Sequence, residues 1–358
     1  LTLGGRDVCL IETSDAVGGR VRTDEVDGLL LDHGFQLFNP WYPEAARVLD
    51  IKRLDVRRFS AGVIVSIDGR HFTLGDPRHE PRWLADSITA PFGSLRTRAR
   101  FAAYALSLVT TRRGDDRTDM RAEDFLVQRF GRDLTDSVLR PFLAGVFLED
   151  ALDTSKRFMD EVLRSFVHAT PGVPAGGMHQ IPLQIAAQLP AGTIHLNTAA
   201  TAIGPGRVQT TAGVLTCQQV VVATGPWTAA TLLPGIHAPT AHAVTTWYHV
   251  ADCPPGQLTD GRSTLLVDGD RYRDGRPRSD SPVINSVVLS ATAPTYASDE
   301  RVLVSSSALG SHPQAAIERS VRDHVGRMYG VDTNGWTLVG TYPIARALPA
   351  VVPPRALP

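Results

Sequence analysis

Apolar positions along the chain switch between a strand-like and a helix-like period, and the switches outline its organisation. Asp7-Val-Cys-Leu-Ile-Glu12 is a short apolar run that follows Gly4-Gly5 and ends in an acid. It predicts a turn leading into a buried parallel strand. Ala61 to Leu74 reads as a hairpin turning at Asp68-Gly69. From about Pro81 to Val167 the period is helical, as in Arg100 to Val109 and in Glu123 to Phe130, which Gly131 closes. Beyond a loop at Pro171 to Gly177 the pattern predicts an amphipathic helix over Ile181 to Leu189. Short strands follow at Thr193 to Asn197, Val208 to Thr211 and Val220 to Thr224. Further strands are expected at Thr245 to Val250, Val283 to Leu289 and Val302 to Ser306. A helix near Pro313 to Tyr329 and a last strand around Trp336 to Thr341 complete the pattern.

A chain of 358 residues, 43% hydrophobic and 20% charged, can bury a sizeable core as one large or two interleaved domains. Its 36 basic and 37 acidic side chains nearly cancel, so no overall field draws in nucleic acid. Cys9, Cys217 and Cys253 have no CxxC spacing, which argues against a disulfide framework, a structural zinc or any other metal site. The first ten residues do not resemble a signal peptide. No apolar run approaches the roughly 20 residues of a membrane span. A reducing, cytoplasmic setting is expected.

Candidate chemistry gathers near the start. Glu12 is followed by Val17-Gly18-Gly19-Arg20 and then by Asp32-His33-Gly34-Phe35-Gln36. An acid at a strand's end can hold a ribose hydroxyl, paired glycines let backbone approach a diphosphate, and an arginine adds charge-assisted bonds. The order suits a dinucleotide. A Rossmann unit places a glycine-rich turn roughly 20 residues before its acid, and Glu12 has only eleven residues ahead of it. The chain is therefore expected to start inside a βαβ unit and, lacking that turn, to bind FAD weakly or not at all.

These residues resemble the flavin-containing amine oxidase superfamily, which includes monoamine oxidases, protoporphyrinogen oxidases and phytoene desaturases. The resemblance implies an α/β fold, α+β overall, in which a Rossmann-like FAD-binding domain is interleaved with a substrate domain of mixed sheet and helices. The expected division is FAD-binding at 1–45 and 175–235, and substrate-binding at 46–174 and 236–358. It implies that Glu12 holds the adenosine ribose, and that Gly18, Gly19 and Arg20 serve the diphosphate and ribityl region. Gly34, Phe35 and Gln36 would pass beside the isoalloxazine ring. Ala200 would contact adenine through its backbone, where relatives usually carry Val, and Ser14 stands where several carry Arg. Pro174 to Met178, Ala223-Thr224-Gly225 and Arg140 to Asp150 resemble further family segments. The family's C-terminal flavin element would follow Tyr342 to Pro349, and this sequence, ending at Pro358, is expected to lack it.

Amine-oxidising members commonly place a lysine in the substrate sheet, and the only lysines here are Lys52 and Lys156. That shifts the expected reaction from amine oxidation toward dehydrogenation of an apolar or cyclic small molecule, as in desaturases. The sequence singles out no catalytic residue. Trp247 and Tyr248 would either wall the pocket or fill the core. His33 owes its place beside the flavin to the motif alone. Arg96, Arg98 and Arg100 before Phe101 to Val109, with Arg112 and Arg113 after it, outline a surface helix. It would touch a membrane, guard a lipophilic entrance or form part of a bundle with solvated ends. Rival readings are a binding scaffold that has lost FAD, an amine oxidase, and a nicotinamide-dependent enzyme.

Overall fold

The structure is a computed structural model that describes residues 1–75, 83, 89–110, 119–273, 275–313 and 316–354. The chain enters through β1 (Leu10–Ile11), then β2 (Thr23–Val26) and β3 (Leu29–Asp32), and continues with β4 (Val56–Arg58), β5 (Gly62–Ile67) and β6 (Arg70–Gly75). Asp68-Gly69 turns β5 into β6 with φ of 47° and 70°, and Asp27-Gly28 turns β2 into β3 with 49° and 76°. Two central residues with positive φ make the tight turn whose twist matches a hairpin. The first hairpin is the one expected; the second uses the same dipeptide and was not.

Helices α1 (Leu95–Thr110), α2 (Ala122–Leu134), α3 (Arg140–Phe147) and α4 (Lys156–His168) form the expected helical block. Residues 76–82, 84–88 and 111–118, including Arg112 and Arg113, lie outside the described residues. Gly131 interrupts α2 at φ 81° and ψ 164°, but helix resumes after it and a wider turn at Thr135–Leu139 leads into α3. Ala122, Leu126, Phe130 and Leu134 recur on one face of α2 and pack with Phe92, Leu143, Leu163 and the sheet residues Val65 and Val267. Arg140 is fully buried. It is held by Asp136 at 2.9 Å and Glu123 at 2.7 Å.

Next come β7 (Gly172–Pro174), α5 (Gln180–Ala186), β8 (Ile194–His195), β9 (Ala200–Gly204), β10 (Arg207–Thr210), β11 (Gly213–Thr216) and α6 (Pro226–Leu232). β1 and β8 pair in parallel, while β9, β10 and β11 form a meander. The strand expected at Thr193 to Asn197 shrinks to two residues. The one expected at Val220 to Thr224 is absent: that stretch is extended chain without a strand partner, and Val221 is 72% exposed. A β-branched run makes a strand only where another strand meets it.

The remaining elements are β12 (Ala241–Ala251), β13 (Leu265–Asp268), β14 (Tyr272–Arg273), β15 (Arg276–Pro277), β16 (Val283–Val288), β17 (Val302–Leu309), α7 (Glu318–Tyr329) and β18 (Thr337–Pro349). They build a seven-stranded sheet in the order β18-β12-β17-β16-β13-β5-β6, parallel only between β13 and β5. One face meets the helical block and the β2–β3 hairpin. The other meets α7 through Val321, Val325 and Met328. The last strand runs on past Thr341 through Pro343, because β18 is an edge strand, where a residue without an N–H is tolerated. The whole is a mixed α/β fold.

Candidate functional site

Glu12 sits at the end of β1. Its N–H donates to the His195 carbonyl at 2.9 Å, and its own carbonyl accepts from Thr198 N–H at 2.8 Å. That ladder brings Glu12 beside the start of β9, where Ala200 is half-buried. One carboxylate oxygen of Glu12 accepts from Ser14 N–H at 2.8 Å, and the half-buried side chain shows no other partner among the described residues. Ser14 here braces Glu12 through its backbone.

The Gly18-Gly19 turn that follows needs glycine at both places. Gly18 has φ of 107°, and a Cβ there would lie 2.5 Å from the Val21 carbonyl oxygen and 2.6 Å from Pro182. Gly19, at φ 57°, opens onto free space. Arg22 and Asp15, 2.6 Å apart, close the loop around both glycines. The Arg22 bond holds the Asp15 carboxyl below its usual range.

Gln36 ties the two motif elements together, donating through Nε2 to the Arg20 carbonyl at 2.8 Å and the His33 carbonyl at 3.0 Å. Arg20 itself donates to the Ala347 carbonyl on β18. Gly34, at φ 86°, lies so near the sheet that a Cβ would stand 2.9 Å from Ile344. Phe35 N–H donates to Thr246 Oγ1 at 3.3 Å, and Thr246 bonds Ser307 at 2.9 Å. The motif therefore lies across β12 and β18.

Beneath it, buried Asp32 accepts from Thr23 Oγ1 at 2.5 Å, Met178 N–H at 3.0 Å and Tyr296 OH at 2.9 Å. Burial pushes its carboxyl up in spite of these donors. Tyr248 OH donates to the Asp32 carbonyl at 2.8 Å. Trp247 and Tyr248 are fully buried, so they fill the core and wall no pocket. His33 faces Asp24 at 2.8 Å and lies tilted against Tyr342 with ring centroids 4.8 Å apart. Burial works to raise the Asp24 carboxyl, yet bonds from His33 and Tyr342 bring it below its usual range.

Two further polar features border this region, and the sequence pattern pointed to neither. His242 on β12 places Nδ1 3.0 Å from the Leu148 carbonyl, to which it donates, and Nε2 lies 3.8 Å from Glu149 Oε2. Glu149 is pinned by Thr154 N–H at 2.7 Å. Leu148 adopts the left-handed conformation, φ 57°, in a position that strains a branched residue. Nothing local links residues 149 and 242, which explains why pattern reading passed over them. Asn285 lies against Gly145 of α3, where a Cβ would be 2.5 Å from its amide nitrogen, and its buried amide oxygen has no partner.

The arrangement fits FAD. It offers the Glu12 carboxylate, a glycine turn with free space before it, a guanidinium at its edge and backbone crossing the sheet behind. Among the described residues, no cluster of His, Cys, Asp or Glu could hold a metal ion.

Comparison with known proteins agrees. The family of flavin-containing amine oxidoreductases matches residues 1–355. A solved protein from Exiguobacterium sp. 255-15, described as a protoporphyrinogen oxidase, is 14% identical with a TM-score of 0.67. The match covers 96% of this chain and 82% of that one. Reduced UDP-galactopyranose mutase is also 14% identical, TM-score 0.67, covering 98% and 79%. Putrescine oxidase bound to putrescine is 15% identical, TM-score 0.65, covering 98% and 83%. No functionally curated protein matches the sequence. The chain belongs to the flavin-containing amine oxidoreductase family and is an FAD-dependent oxidoreductase.

Proposed function

We propose a dehydrogenase or oxidase of the desaturase type, acting on an apolar or cyclic small molecule. Residues 1–45 and 175–235 would hold FAD, and 46–174 and 236–358 the substrate. In this reading Glu12 takes the ribose, Gly18, Gly19 and Arg20 the diphosphate and ribityl region, and Ala200 the adenine through its backbone. Gly34, Phe35 and Gln36 line the ring's position. Bound FAD supplies the acceptor for a hydride.

The observation that carries this reading is the sheet surface against Gly34 and Phe35. It presents Thr246, Ser307, Ile344 and Tyr342, and no ammonium group. Lys156 is occupied elsewhere, 2.8 Å from Asp160, and Lys52 precedes the sheet in an exposed turn. When a saturated C–C bond becomes a double bond, the substrate loses a hydride and a proton. His242 would take that proton through Nε2, with the Glu149 carboxylate 3.8 Å away beside it.

The test is anaerobic bleaching of the FAD-loaded protein by two panels, partially reduced polyenes and tetrapyrroles against primary amines and diamines. Bleaching by the first panel supports the reading, and bleaching by amines alone overturns it.

A further inference from the structure

Helix α1 has two apolar faces, and among the described residues only one is packed inside the protein. Phe101, Tyr104 and Leu108 point into the helical core, where Tyr104 OH donates to Asp160. On the opposite side Leu95, Ala99, Ala102, Leu106 and Val109 repeat at spacings of four and three, which sets them in one stripe along the helix. All five are exposed, with Leu95 at 56%, Leu106 at 48% and Val109 at 40%.

Charge decides what covers that stripe. From Leu95 to Thr110 the helix has three arginines and no acid. Arg96 lies beside the stripe and Arg100 farther round on the same side; both are exposed, and neither pairs with a carboxylate among the described residues. Arg98 flanks it on the other side, over the Phe92 ring. A second copy of the helix laid parallel would bring arginines against arginines with no carboxylate on the helix to match, which disfavours that pairing. A layer of anionic headgroups over acyl chains matches both parts, since arginine stems lie along apolar surface while their heads reach outward.

We propose that the outer face of α1 docks the protein on an anionic lipid surface. Leu95, Leu106 and Val109 would enter the acyl boundary, and Arg96 and Arg100 would contact phosphate groups. The inference is independent of the reaction proposed above.

The test is co-sedimentation of the full chain with vesicles of phosphatidylcholine doped with phosphatidylglycerol, beside vesicles of phosphatidylcholine alone. Binding is expected to the first, weakened by salt, and reduced about tenfold or more by Arg96→Glu with Arg100→Glu. Leu106→Glu with Val109→Glu should abolish it. Both pairs are solvent-facing, so their thermal unfolding by circular dichroism should match the parent, and either pair suffices if the other fails to fold. The proposal is overturned by absence of binding, by equal binding to neutral vesicles, or by binding that both variants retain. A dimer on size exclusion that the leucine–valine variant dissolves, in a chain that ignores vesicles, would assign the stripe to a second copy and also overturn it.

Discussion

Between residues 182 and 243 only two hydrophobic side chains, Val208 and Leu232, are buried, whereas β16 alone buries all six of its residues. The first region holds most of the proposed second FAD-binding segment, and no residue from it enters any of the three core clusters. Instead Val214, Leu215, Val220, Val221 and Ile236 are exposed. The sheet-and-helix body has hydrophobic cores on both faces of the sheet. One part of the fold is held by its own side chains, and the other has little of its own to hold it. Contacts with a cofactor would then matter far more to the second part than to the first.

Four measurements test that contrast. Arg140→Ala in the body should cost about 3–5 kcal/mol in urea unfolding, because it strands the Asp136 and Glu123 carboxylates beside a buried void. Saturating FAD, at roughly a hundredfold excess over Kd, should add about 2.7 kcal/mol. Amide-exchange protection should rise mainly across residues 193–240, and equal gains in β16 and β17 would break the distinction. Val214→Ser on β11 should shift stability by no more than about 0.5 kcal/mol; a larger loss would mean that the meander carries packing its exposure does not show.

Local features were legible in the sequence, and features that depend on distant partners were not. The hairpin at Asp68-Gly69 and the helical block could be read from turn chemistry and period. The Asp27-Gly28 hairpin escaped because Leu29-Leu30-Leu31 shows no alternation to mark a strand. Val220 to Thr224 has strand composition, but composition does not reveal whether a neighbouring strand is present. Tyr342 to Pro349 contains prolines that look like a stop, and only an edge position reconciles them with β18. At the site, Glu12, Gly18, Gly19, Arg20 and Gly34 to Gln36 stand close together in the chain, so pattern reading could group them. The structure joins these elements through Gln36 and sets Ala200 beside Glu12. His242, Glu149 and Asn285 come together only through tertiary packing.

The buried Asp32 carboxylate also sets a schedule for synthesis. Its three donors, Thr23, Met178 and Tyr296, lie on the hairpin just before it, on a segment far downstream and on one farther still. At roughly 5–20 residues per second on the ribosome, tens of seconds separate the emergence of Asp32 from that of its last partner. Throughout that interval the β2–β3 hairpin carries an acid that cannot yet be enclosed. Its final burial must wait until nearly the whole chain has been made.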